Sequence, residues 1–127
     1  MKTVLFATAV RTCLKPPRAC QFLGAESVAQ LLDRFIKSNG RIDLLVIDLD
    51  FDPAVSSIDV ALNLRRFFPR LKILFAFSSA PLCTPRQRTA MGVLPSGSIG
   101  FLKRPFSLRD LQCRIEDLLA AALLKVA

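Results

Sequence analysis

Asp48, Asp50 and Asp52 stand at alternate positions directly after the apolar run Leu44-Leu45-Val46-Ile47. A continuous apolar run rich in branched side chains, ending in a carboxylate, reads as a strand covered on both faces. Asp48 then lies at the carboxyl end of a central strand, the edge where open α/β sheets gather ligands and chemistry. Other polar groups follow later apolar runs: Ser78 and Ser79 after Leu71 to Phe77, and Lys103 and Arg104 after Ile99. The chain has no histidine, which removes Ser-His and Cys-His nucleophilic catalysis in their common forms. Its four cysteines, Cys13, Cys20, Cys83 and Cys113, contain no C-x-x-C pair. Neither a zinc site nor a disulfide framework is expected, and the thiols read as small apolar residues of a reduced compartment.

The 127 residues are expected to form a single domain, with a composition 52% hydrophobic that argues against disorder. No apolar run has the length of a membrane span. The start, Met1 to Val10, is interrupted by Arg11 before any convincing cleavage site and reads as a strand, so a cytoplasmic protein is expected. The net charge of +8 admits nucleic acid, an acidic partner or an anionic surface as contacts. The basic residues are dispersed, however, and tyrosine and tryptophan are absent, so stacking platforms for bases are lacking. A solvated basic surface is the preferred reading, with nucleic-acid or anionic-surface binding as the third functional alternative.

The elements that must position these groups follow in order. Lys2 to Ala9 is a strand candidate. The Pro16-Pro17 pair forbids a full helix after it, so the first helix is expected to be short or missing. Cys20 to Ala25 reads as a short edge strand. Ser27 and Gln30 have capping-box spacing, and Val28, Leu31, Leu32, Phe35 and Ile36 predict an apolar stripe on a helix ended by Asn39-Gly40. After the central strand, Val60, Leu64, Phe67 and Phe68 predict the buried face of a second helix that stops before Pro69. Leu71 to Phe77 is a second buried strand. Thr84-Pro85 opens a short helix closing near Gly92, and Ile99 to Lys103 is the last strand. Ser107 and Asp110 make another capping box, and Leu108, Leu111, Ile115, Leu118, Leu119 and Ala122 stripe the terminal helix. Strands alternating with helices predict right-handed crossovers and a parallel, doubly wound sheet.

From Ala25 to Leu119 the chain resembles the response-regulator receiver domain of two-component signalling. Asp43-Leu44-Leu45-Val46-Ile47-Asp48 is similar to the strand that ends in the phosphoacceptor, which would be Asp48. Leu71 to Ser79 resembles the strand ending in the switch hydroxyl, with Ser78 or Phe77 at that position. Gly100-Phe101-Leu102-Lys103-Arg104-Pro105-Phe106-Ser107 resembles the closing strand, lysine-proline step and entry to the last helix. The resemblance implies a five-stranded α/β sheet of order 2-1-3-4-5, a cis peptide before Pro105, and Phe101 as switch aromatic.

The departures fall where receivers do their chemistry. The two acids that follow the first strand and hold magnesium are replaced by Phe6-Ala7-Thr8-Ala9. Arg104 stands where the phosphoryl-pairing lysine should be, with Lys103 one place earlier. Arginine grips carboxylates through a two-pronged fork, so an Asp48–Arg104 ion pair is expected to occupy the site. A Mg2+ site would have to be rebuilt from Asp48 and Asp50. The expected function is therefore an atypical receiver, not an enzyme, with weak or absent aspartyl phosphorylation. It would act through protein contacts with a histidine kinase or other signalling partner, or as a homodimer. The contact face would comprise the helix at Thr84 to Gly92, the strand at Ile99 to Lys103 and the last helix. The alternative is a working phosphoacceptor at Asp48.

Overall fold

The computed structural model describes residues 2–7, 20–52, 54–78, 85–92 and 97–120. Five strands, β1 (Lys2–Ala7), β2 (Cys20–Gly24), β3 (Leu44–Asp48), β4 (Lys72–Phe77) and β5 (Ile99–Lys103), form one parallel sheet in the order β2-β1-β3-β4-β5. The continuous apolar run is the middle strand, buried at every position, with Leu45 in register with Leu5 on one side and Ile73 on the other. Side chains alternate across a strand, so β3 feeds two cores. Leu45 and Ile47 meet Leu31 and Phe35 of α1 (Val28–Lys37) and Ile58, Ala61 and Leu64 of α2 (Ser57–Phe67). α3 (Pro85–Gly92) follows β4 in the chain. Leu44 and Val46 face the other way, onto Leu111, Ile115 and Leu118 of α4 (Leu108–Ala120). Helices cover both faces, which is the doubly wound architecture expected.

The helix boundaries follow their caps. Ser27 Oγ accepts from the Gln30 amide at 3.1 Å, while the Gln30 side chain accepts from Glu26 N–H rather than from the cap residue itself. Ser107 and Asp110 make the full reciprocal box, at 3.0 and 3.3 Å. Asn39 and Gly40, both at positive φ, turn the chain out of α1. α3 begins at Pro85 as expected, whereas its proposed cap Thr84 lies outside the described residues, as does the expected short or missing first helix between β1 and β2. Among the described residues no helix is long and apolar enough to cross a membrane.

Three predicted stripes are corrected. In α1 only Leu31 and Phe35 are buried; Leu32 and Ile36 face solvent. In α2 the buried face is Ser57, Ile58, Ala61, Leu64 and Arg65, while Phe67 is exposed. At about 100° per residue Phe67 lies half a turn from Ile58, so a Phe67-centred face and an Ile58-centred face exclude each other. Leu108 opens α4 on the solvent side. Each helix covers the sheet with a narrower stripe than its apolar content allows.

Lys72 starts β4 with its side chain buried against α4, and its Nζ donates to the Leu118 carbonyl at 2.5 Å. Desolvation, with a smaller contribution from Lys2, pulls its pKa below the ordinary 10.5, against the opposing pull of Asp43. The unfolded chain therefore holds this proton to higher pH than the folded one, and stability should rise with pH between the lowered value and 10.5. Urea melts across that alkaline window should show this slope in the native chain and a shallower one in Lys72→Met. An identical slope in both would assign the titration elsewhere.

Candidate functional site

β3 delivers Asp48 to the carboxyl edge of the sheet, where its side chain is 10% exposed. Arg104 Nη2 lies 2.5 Å from Asp48 Oδ2, and the arginine side chain is itself only 25% exposed. The other carboxylate oxygen, Oδ1, accepts from the Asp50 amide at 3.0 Å. The Asp48 carbonyl accepts from Ser57 Oγ at 2.9 Å and from the Phe51 amide at 3.0 Å, which fastens the first turn of α2 beneath the site. Both oxygens of Asp48 are thus engaged by the protein's own donors. The expected Asp48–Arg104 ion pair is present.

Arg104 is aimed by its surroundings. Its amide donates to the Phe77 carbonyl at 2.7 Å, extending the β4–β5 ladder one residue past Lys103. Its guanidinium carbon lies 5.7 Å from the centroid of the Phe106 ring, a cation–π geometry. The Arg104–Pro105 peptide is cis, as expected. Lys103, one position earlier, is exposed and pairs with Phe77 in the ladder; among the described residues it joins no ion pair. The structure brings Arg104 to Asp48 and leaves Lys103 outside.

The acids do not converge. Asp50 contributes its backbone amide to Asp48, while its side chain is exposed. Asp52 Oδ1 accepts from the Ala54 amide at 3.0 Å, a turn-forming role. Phe6 and Ala7 are buried at the end of β1, with Phe6 edge-on to Phe22; Thr8 and Ala9 lie outside the described residues. Among the described residues no group of three acidic, histidine or cysteine side chains could hold a metal ion. The residues present do not fit a magnesium centre of the receiver kind, because one oxygen of Asp48 faces a cation and Asp50 supplies an amide instead of a carboxylate.

Ser78 follows β4 and is exposed. Asp48 is in register with Ala76, so alternation puts Ser78, rather than Phe77, on the Asp48 side of the sheet. The Phe77 ring instead meets Phe101 edge-on at 6.3 Å. Phe101 stacks on the buried Phe75 at 5.4 Å and remains 37% exposed on β5. Ser79 and Cys83 lie outside the described residues. Sequence reading missed Gln87, which is buried in α3. Its Nε2 donates to Asp59 Oδ1 at 2.8 Å and to Ser56 Oγ at 3.3 Å, tying α3 to the start of α2 next to Ser57. A single glutamine in a short polar helix has no spacing signature that would have found it.

No protein-family model matches the sequence, and no curated relative matches it. Solved structures do match, over nearly the whole chain. A CheY-like receiver domain protein from Methanospirillum hungatei superposes with a TM-score of 0.65 at 13% identity, covering 94% of each chain. A receiver domain protein from Clostridium thermocellum gives 0.64 at 15% identity, again with 94% of each chain covered. The response regulator TrrA, solved in complex with the histidine kinase ThkA, gives 0.63 at 17% identity over 94% of this chain and all of that one.

The fold is that of response-regulator receiver domains. At identities this low the comparison speaks for the receiver fold alone. Within that receiver fold, the edge that carries Asp48 holds an arginine ion pair and, on β1, apolar residues in place of acids.

Proposed function

We propose that this chain is a receiver-type regulatory module of two-component signalling that works through protein contacts, not through phosphoryl transfer. The observation that carries the reading is the Asp48–Arg104 pair, with both carboxylate oxygens already engaged inside the protein. Phosphoryl transfer to a carboxylate depends on positioning and on neutralising charge. Here one carboxylate oxygen is paired with arginine and the other with a backbone amide, and the acids that would gather a metal are replaced by Phe6 and Ala7. The ion pair would hold one regulatory state, and α3, β5 and α4 would present it to a histidine kinase, another signalling protein or a second copy. The link from Ser57 and Asp59 to Gln87 offers a physical route from the Asp48 loop to α3. A cytoplasmic location goes with this reading.

Intact-mass measurement after incubation with acetyl phosphate and magnesium tests the proposal. No added phosphoryl group is expected under conditions that modify an ordinary receiver. A single phosphoryl adduct on the native chain, absent from Asp48→Asn, would overturn it in favour of a working phosphoacceptor.

A further inference from the structure

The amino edge of the sheet, opposite Asp48, has a composition the receiver reading does not use. The amino ends of β1, β3 and β4 meet there: Asp43 N–H donates to the Thr3 carbonyl and Lys72 N–H to the Asp43 carbonyl. Helices run antiparallel to the strands in this architecture, so α1 and α2 both end at this edge. Their last turns meet in the stack of Phe35 on Phe68, with ring centroids 5.2 Å apart. The chain neighbours of that stack are Ile36 and Phe67, which are 73% and 78% exposed. Beside them in the chain Lys37 and Arg66 are exposed, as are Arg41 and Arg70 just past the two helices, and among the described residues Arg41, Arg66 and Arg70 join no ion pair.

Part of this is ordinary helix chemistry, since cations in a last turn complement the negative end of the helix dipole. That account covers Lys37 and Arg66 but not Arg41 and Arg70, which lie beyond the helices. It leaves the apolar residues unexplained as well. α2 buries Arg65, whose Nη1 lacks a hydrogen-bond partner, and two residues later gives Phe67 to solvent. A helix that turns an arginine inward and a phenylalanine outward breaks the pattern that stability alone would set, and such breaks mark functional surfaces.

We propose that this edge docks on an anionic lipid surface, with Ile36 and Phe67 entering the headgroup region and Arg41, Arg66 and Arg70 meeting lipid phosphates. Protruding apolar side chains set among cations are the chemistry of interfacial membrane binding. A second copy of the chain would bring like charges face to face at a two-fold contact. Single-stranded nucleic acid gains stacking from aromatic rings, and here one of the two exposed apolar residues is an isoleucine. A protein partner would need pockets to receive both side chains, whereas a bilayer accepts them without a matching shape.

Co-sedimentation of the full chain with vesicles of phosphatidylcholine, and of phosphatidylcholine mixed with phosphatidylglycerol, tests this. Binding is expected to the anionic vesicles only. Ile36→Ser/Phe67→Ser should weaken it at least about tenfold through lost apolar burial. Arg41→Gln/Arg66→Gln/Arg70→Gln should weaken it on the order of a hundredfold, from the attraction each basic residue feels near such a surface. All substituted side chains are exposed, so both variants should keep the native melting curve. The proposal is overturned if the native chain ignores anionic vesicles. Unchanged binding by the Ile36/Phe67 variant would also overturn it, as would displacement from the vesicles by single-stranded oligonucleotide.

Discussion

Arg104→Ala is expected to destabilise the fold by about 3 kcal/mol, the low end of what removing one partner of a buried ion pair costs. The low end applies because Arg104 keeps a quarter of its side chain in solvent, while Asp48 keeps a tenth. The cost arises mostly on the aspartate: without the guanidinium, one oxygen of a nearly buried carboxylate loses its counter-charge. The Asp50 amide remains on the other oxygen. Asp48→Asn should cost less, about 1 kcal/mol, because the arginine left behind retains the Phe106 ring and part of its hydration. The double variant should then cost clearly less than the sum of the two. A coupling of about 2 kcal/mol, measured by urea denaturation of all four proteins, is the expected signature. Salt separates this from a surface pair, since buried charges are screened little. Additive costs, or a coupling that vanishes in concentrated salt, would remove the ion pair as the lock of the site.

Much of this site could be read from residue type and order. The run Leu44 to Ile47 ending in Asp48 points to the central strand and its carboxyl end, because so short a run, apolar at every position, suits a strand covered on both faces. Arg104 before Pro105 and the missing acids after β1 point to the ion pair on residue type and order alone. The register of β4 was not legible: Ser78 and Phe77 both fit the switch position, and only the pairing of Asp48 with Ala76 decides for Ser78. The helix stripes failed for a related reason. Hydropathy counts Leu32, Ile36, Phe67 and Leu108 as core, but which arc of a helix faces the sheet is set by packing, and the buried arcs run through Leu31 and Phe35 in α1, Ile58 and Leu64 in α2, and Leu111 and Ile115 in α4. The sequence also carries no sign that Gln87 is buried, because its burial is set by the packing of α3 on the start of α2.

The close of α1 depends on one glycine. Gly40 sits at φ 72° after Asn39 at φ 54°, and its amide donates to the Phe35 carbonyl at 2.9 Å to close α1. A Cβ built on Gly40 would collide with Cε1 and Cδ1 of the Phe68 ring. That ring cannot slide freely, since it lies on Phe35, which is 2% exposed in the core. Gly40→Ala should therefore cost about 1 kcal/mol for the left-handed backbone and about 2 kcal/mol more for displacing the stacked ring. The two parts can be separated in a Phe68→Ala background, where the ring is gone and only the backbone part should remain. A cost that is the same in both backgrounds would mean that the ring moves aside without resistance. If the stack also orients its chain neighbours Ile36 and Phe67, Gly40→Ala should weaken anionic-vesicle binding while leaving Arg41, Arg66 and Arg70 in place. The turn that ends α1, the stability of the fold and the apolar part of the proposed lipid surface then share one physical origin.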